Sequence, residues 1–179
     1  MTHPSESHVH IPVIETERLR LRGHRLEDFE QSAALWGDPV VTRHIGGRPL
    51  TREEVWARLL RYIGHWALLG FGFWAVEEMA SGEFIGEMGF AYFEREIAPP
   101  LPKVPEMGWI LAPRAHGKGY ATEAVRAALA WGDVRFHASP FVCLIDSGNV
   151  ASRRVAEKCG FRELFPANYK GEQTVVFKR

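Results

Sequence analysis

The chain has 179 residues, enough for one domain with a substantial core and too few for two full domains. Its 22 Lys plus Arg are matched by 22 Asp plus Glu, so the formal net charge is zero, which argues against a nucleic-acid or membrane-surface partner held by bulk charge. With 46% hydrophobic and 25% charged residues the composition is that of a globular domain and not of a disordered chain.

Residues 1–14 read as a flexible polar tail without the apolar stretch of a secretory signal, and residues 15–179 as a single domain. Glu15 to Arg22 alternates, with Leu19 and Leu21 between Arg18, Arg20 and Arg22, and predicts a half-buried strand. Leu26, Phe29, Ala33 and Trp36 fall at helical spacing, and Gly37 and Pro39 should stop that helix. Thr51 and Glu54 form a capping box, behind which Val55, Leu59, Tyr62, Ile63 and Trp66 make one apolar stripe that ends at Gly70.

Phe71–Glu78 and Glu83–Phe93 predict a β-hairpin turning at Ser81 and Gly82. Four prolines between Arg95 and Pro105 predict a stiff exposed loop. Glu106–Ala112 reads as an apolar strand, 114–119 as a loop, and Tyr120–Phe136 as a helix with its stripe on Ala121, Val125, Ala128, Leu129, Gly132 and Phe136. Phe141–Ile145 is a buried strand, Val150–Cys159 a helix closed by Gly160, and Phe161–Phe165 and Thr174–Phe177 two short final strands. The order implies an α/β (α+β) fold: a mixed, mostly antiparallel sheet of about seven strands with helices on both faces.

No apolar stretch reaches the roughly 20 residues of a membrane span, the longest running from Trp66 to Val76 with Gly70 and Gly72 inside it. Cys143 and Cys159 make neither a disulfide framework nor a zinc motif, and read as reduced core thiols in a cytoplasmic protein. The eight histidines are scattered without ligand spacing next to a third ligand, so no metal is expected.

The chemistry concentrates where the strand ending at Pro113 passes through Arg114-Ala-His-Gly117-Lys-Gly119 into a helix. The first turn of a helix offers free N–H groups and the positive end of the dipole, and glycines let an anion approach that backbone closely. A tight strand-to-helix turn is the plain alternative. Arg114-x-x-Gly117-x-Gly119 resembles the acetyl-CoA motif of the GNAT N-acetyltransferases. Asn149-Val-Ala-Ser152 followed by Glu157-Lys-Cys-Gly160-Phe161 resembles the family's next strand-helix-strand block, and the opening Glu15–Arg22 resembles the branch that contains the ribosomal-protein N-terminal (alanine/serine) acetyltransferases. A dinucleotide-binding oxidoreductase is the competing reading, because Gly117-x-Gly119-x-x-Thr122 nearly matches that fingerprint and Asp146 ends a later strand. Thr122 stands where Gly or Ala belongs, and too little chain follows for the remaining units.

The resemblance implies acetyl-CoA as co-substrate, an amine acceptor that is a protein N-terminus or a small molecule, no nucleic-acid or membrane partner, and allows a homodimer. It implies that the strand before the motif exposes backbone at Ile110 and Leu111 to the pantetheine arm. His116, Gly117, Lys118, Gly119, Tyr120 and Ala121 would offer amides to the pyrophosphate. Arg114, Lys118 or Arg154 would meet the ribose phosphate, Asn149 the pantetheine, and Ser152 would lie near the thioester sulfur. Acetyl transfer needs a neutral amine, a donor for the oxyanion and a proton for the departing thiolate. Glu106 or Glu87 is the expected base, Glu106 being favoured because family members often place the base on its strand. Many members carry a tyrosine seven residues after the asparagine as the acid. Here that position is Ala156, which leaves Ser152 to support the thiolate, or else a non-catalytic CoA-binding sensor. Trp66, Trp74 and Trp109 are candidates for an acceptor pocket.

Overall fold

The computed structural model describes residues 9–179; of the expected tail, residues 1–8 lie outside the described residues. The elements run β1 (Ile14–Glu15), β2 (Leu19–Arg22), α1 (Phe29–Gly37), α2 (Pro39–Thr42), α3 (Arg52–Leu69), β3 (Phe73–Glu78), β4 (Glu83–Ala91), β5 (Glu106–Leu111), α4 (Tyr120–Arg135), β6 (Val142–Asp146), α5 (Val150–Lys158), β7 (Arg162–Tyr169) and β8 (Glu172–Lys178). They build one sheet of eight strands in the order β1-β2-β3-β4-β5-β6-β8-β7, antiparallel except where β5 meets β6. This is the mixed α/β fold expected, with one strand more than the expected seven.

The extra strand arises because Glu15–Arg22 is a tight hairpin and not one strand. Ile14 pairs with Leu21, Glu15 with Arg20, and the Thr16 amide donates to the Leu19 carbonyl. Ahead of it the chain is packed from Ile11: Ile11 and Ile14 rest on the core, and the Trp74 indole donates to the Pro12 carbonyl at 2.9 Å. Pro39 begins a short helix where the sequence suggested only a stop. It takes the first helical position, where its missing N–H costs nothing, behind an Asp38 side chain that accepts from the Val40 amide. The capping box at Thr51 and Glu54 forms as expected, and α3 ends in left-handed Gly70.

Two apolar layers flank the sheet. Leu19, Leu21, Trp74, Phe90, Met107 and Leu111 meet Val125, Ala128 and Leu129 of α4 and Ala156 of α5. On the other face Ala75, Phe84, Ile110 and Ala112 meet Leu35 and Trp36 of α1, Val41 of α2 and Val55 of α3. Trp66 and Trp74 belong to the first layer, edge-to-face with Trp131, so these two tryptophans are core and not pocket. The proline segment is docked rather than free: Ile97, Leu101 and Val104 pack on Val142, Ala167 and Val176.

The second layer encloses one charged group. Glu87, mid-way along β4, is wholly buried. Its carboxylate accepts from Ser32 of α1, from the Trp36 indole at 2.8 Å and from the Tyr62 hydroxyl at 3.0 Å, and His24 Nε2 stands 3.7 Å away. Burial disfavours the charge, but the neighbouring His24 ring and the bonds from Ser32 and Trp36 outweigh it and hold the carboxyl below its ordinary value. A carboxyl depressed in the folded state stabilises the fold above its unfolded pKa, and that contribution is lost as pH falls through the folded value. Glu87→Ala should therefore destabilise the protein by about 3–5 kcal/mol, because three buried donors lose their acceptor. Chemical denaturation across a pH series should also show wild-type stability falling more steeply than that of Glu87→Gln as pH drops below about 4.

Candidate active site

The sheet opens between β5 and β6. The two strands run parallel and register at one position only, Glu106 against Val142, where the Val142 amide donates to the Pro105 carbonyl. Beyond it β5 stays with β4 and β6 stays with β8. The gap is a cleft of about 150 Å³. Trp36, Arg58, Tyr62, Phe93, Arg95 and Glu106 line it on the α3 side, and Leu144, Asp146, Asn149 and Ser152 on the α5 side, with Trp109 and Ile110 between them.

Strand alternation decides which β5 groups face the gap. Ala112 donates to Ile85 of the preceding β4 region, and the Ile110 carbonyl lies against Gly86. Ile110 thus turns its backbone to β4, while Trp109 and Leu111 turn theirs to the cleft. The Leu111 carbonyl is taken by His116 Nε2 at 2.9 Å, leaving the Leu111 N–H and both Trp109 groups for a ligand chain. Trp109 thus replaces Ile110 as the neighbour of Leu111 offering its backbone. The signal available in sequence was parity along the strand, which one residue of register error inverts.

At the end of β5 the chain makes a 3₁₀ turn, Pro113–Ala115, and then the loop into α4. Gly117 and Gly119 have φ of 74° and 81°, in the left-handed region. The amides of Gly117, Lys118 and Gly119 donate to no acceptor among the described residues, and those of Tyr120 and Ala121 open the helix. A Cβ at Gly117 would meet nothing within 4 Å, so space stands open over the loop. The loop is held from the far edge of the sheet. Glu123 accepts from the Thr16 hydroxyl at 2.6 Å, the Arg18 amide at 3.0 Å and Arg18 Nε at 2.7 Å, and Arg18 Nη1 donates to the Lys118 carbonyl at 2.9 Å. Burial works against the Glu123 charge, yet the Thr16 and Arg18 bonds keep it below the usual carboxylate range.

The other expected site residues fall unevenly. Asn149 caps α5, its Oδ1 accepting from the Ser152 amide at 3.1 Å, and both side chains line the cleft. Arg114 turns away: Nη2 donates to the Phe84 carbonyl at 2.6 Å, with Glu83 at 3.4 Å. Lys118 and Arg154 are exposed and hold no carboxylate among the described residues. The Tyr120 hydroxyl donates to Glu78 at 2.6 Å. Glu106 reaches the cleft but is clamped by Arg95, which donates to both its oxygens at 2.7 and 2.6 Å and lies between the rings of Phe93 and Tyr169. Glu87 does not reach it: Tyr62 and Trp36 stand between its carboxylate and the cleft. Ala156 is fully buried, so nothing acidic occupies the position where the family's tyrosine would stand.

Among the cleft residues that escaped sequence reasoning, His44 and Arg58 stand out by their chemistry. His44 follows α2, and its Nδ1 lies 2.8 Å from Asp146 Oδ1 at the end of β6, an oxygen that also accepts from the Gly148 amide. Arg58 of α3 stacks its guanidinium 3.8 Å over Trp36. Each comes from a segment distant in sequence from its partner, and nothing in the local pattern marks either one.

A sheet that splays beside a glycine-rich helix start, with free amides at one end and a lined cleft at the other, defines a site for a long ligand ending in a diphosphate. Its donor set suits coenzyme A: unpaired amides for the pyrophosphate and strand-edge groups for the pantetheine. The chain belongs to the GNAT acetyltransferases, the family model for the acetyltransferase (GNAT) domain matching residues 18–162. It is 36% identical over 151 residues to the uncharacterized protein YkkB of Bacillus subtilis, covering 81% of this chain and 82% of that one. The fold superimposes on a GnaT-family acetyltransferase from Bordetella pertussis with a TM-score of 0.82 at 32% identity, over 94% of this chain and 99% of the other. It also matches RimL, a ribosomal L7/L12 α-N-protein acetyltransferase solved with coenzyme A, at a TM-score of 0.76 over 94% and 97% of the two chains; at 17% identity this likeness concerns the fold alone.

Gly119→Val should lower CoA affinity by at least roughly 10-fold in a folded protein, because a β-branched residue resists the left-handed φ and a side chain intrudes on the amides. Titration calorimetry with CoA, alongside circular dichroism, checks this.

Proposed function

We propose that the protein is an acetyl-CoA-dependent N-acetyltransferase acting by direct attack of a primary amine of low pKa, foremost an α-amino group. The observation that carries the reading is the β5–β6 cleft, lined by Asn149, Ser152 and Glu106, on a strand that leads directly into the Gly117–Gly119 loop at the start of α4. Bound acetyl-CoA supplies the acetyl thioester. The amides of Gly117 to Ala121 hold its pyrophosphate, and Asn149 and the Trp109 and Leu111 backbone orient its pantetheine arm. Ser152 stands beside the thioester sulfur. Glu106, which keeps a lone pair on each oxygen beside the two bonds from Arg95, receives the amine proton directly or through a water, and the departing thiolate takes its proton from water beside Ser152.

The acceptor preference follows from acid–base arithmetic. An α-amino group, with a pKa of about 7.7–8.0, is roughly one-quarter neutral near pH 7.4. A lysine side chain at about 10.4 is only ~0.1% neutral there, a deficit of about 4 kcal/mol. Desolvation of the amine would have to make up that deficit before a lysine could attack.

Peptides with a free N-terminus should therefore turn over faster than N-terminally blocked peptides carrying lysine. A pH series on both, with wild type and Glu106→Gln, measures this; the variant's rate should follow amine deprotonation to higher pH, and faster turnover of the blocked peptides would defeat the acceptor assignment. Ser152→Ala should lower kcat several-fold with little change in CoA affinity, a split that steady-state kinetics and calorimetry together resolve.

A further inference from the structure

The acceptor side of the cleft carries a positive charge that the protein does not neutralise. Two arginines line it, Arg58 and Arg95. Arg95 has its carboxylate in Glu106. Arg58 has none among the described residues. Its guanidinium is held flat on Trp36 at 3.8 Å, Nη1 lies 3.5 Å from the Tyr62 hydroxyl, and Nε is buried without any partner. A third arginine, Arg61, leans over Phe93 at the rim, its ring centroid 5.5 Å away. Crowding by the protein, and then the like charge of Arg58, pull Arg61 below the usual arginine range. Glu87, behind this wall, is occupied by Ser32, Trp36 and Tyr62 and forms no ion pair with Arg58.

Nε is shut off from the cleft, so the end of the guanidinium meets a ligand: Nη2 has no acceptor among the described residues, Nη1 has only the long contact to Tyr62, and a planar group fixed by stacking is prearranged for a carboxylate. Coenzyme A does not supply that anion in the proposed arrangement: its phosphates belong at the Gly117–Gly119 end, and Arg58 stands with Trp36 and Tyr62 on the α3 side of the cleft. We infer that Arg58 binds a carboxylate carried by the acceptor, so that the substrate is an amine with its own acidic group close by, and amines carrying a second cation are disfavoured. The inference rests on the acetyltransferase reading for the identity of the acceptor, and the recognition itself is measurable without turnover. Two sources offer such an amine: a small acidic molecule, or a protein N-terminus with an acidic residue next to its α-amine.

The test uses three C-terminally amidated dipeptides, Ala-Asp, Ala-Asn and Ala-Lys, whose α-amines are alike and whose second side chain is acidic, neutral or basic. Decapeptides with the same first two residues distinguish the sources. Binding is measured by calorimetry on the CoA-saturated protein, and turnover by thiol release from acetyl-CoA. The acidic member should bind at least roughly 10-fold tighter than the neutral one and tighter still than the basic one. Arg58→Gln should shrink the preference to within about two-fold, and Arg58→Lys, which keeps the charge but loses the fork, should retain part of it. An acidic preference with dipeptides binding at least as tightly as decapeptides points to the small molecule, and one with the decapeptides tighter, or confined to them, to a protein N-terminus; either supports the inference. Equal binding of the three dipeptides and of the three decapeptides, a basic preference, or an acidic preference undiminished in folded Arg58→Gln would overturn it. Acidic binding without thiol release would leave the Arg58 assignment standing and count against the acetyltransferase reading instead.

Discussion

The structure depends on a sheet that comes apart in its middle. Parallel strands hydrogen-bond evenly along their length when nothing prevents them, and here β5 and β6 do so for one register position. Each is committed elsewhere, β5 to a six-residue ladder with β4 and β6 to a five-residue ladder with β8. Two firm half-sheets hinged at Glu106 and Val142 therefore leave unpaired backbone on both sides of a wedge. In a closed sheet those groups would be internal structure; in a splayed one they can bind only water or a ligand.

What lines the wedge reflects the two layers that flank it. On the α3 side the wall is rigid, because Trp36 and Tyr62 are fastened to a carboxylate buried behind them. Tyr62 also stacks face to face on Phe73, with ring centroids 4.7 Å apart. A fully hydrogen-bonded buried charge of this kind fixes side-chain positions more than it adds stability. On the α5 side the cleft ends in a helix cap, Asn149, whose oxygen faces the helix and whose amide is left to donate.

Much of this was legible in the sequence where local chemistry repeats. The capping box at Thr51, the alternation of Leu19 and Leu21, and the two glycines opening α4 each carry their signal within a few residues. The less legible features are long-range. The reading of Glu15–Arg22 as one strand followed a two-residue period straight through a hairpin, since the alternation is the same on either side of a tight turn. The proline segment looked free because its prolines cannot join a ladder, but Ile97, Leu101 and Val104 bury themselves all the same. Glu106 was identifiable as a cleft carboxylate, whereas its clamp came from Arg95, on the loop read as exposed. Glu87 has Gly86 and Gly89 beside it in sequence, which concern backbone approach and carry no information about the aromatic and hydroxyl groups that converge on it from α1 and α3.

The bonds from Thr16 and Arg18 to Glu123 have an evolutionary corollary. They tie the first hairpin of the chain to the helix start some hundred residues later, and the Lys118 carbonyl of the loop itself is part of the knot. A change at any of these three side chains alone leaves a charge or a hydroxyl stranded beside the backbone that cradles the ligand. Natural variation should therefore pass through positions 16, 18 and 123 as a set, so that relatives which lose the acid also lose the base, and the opening motif of the chain drifts in step with a helix it never adjoins in sequence.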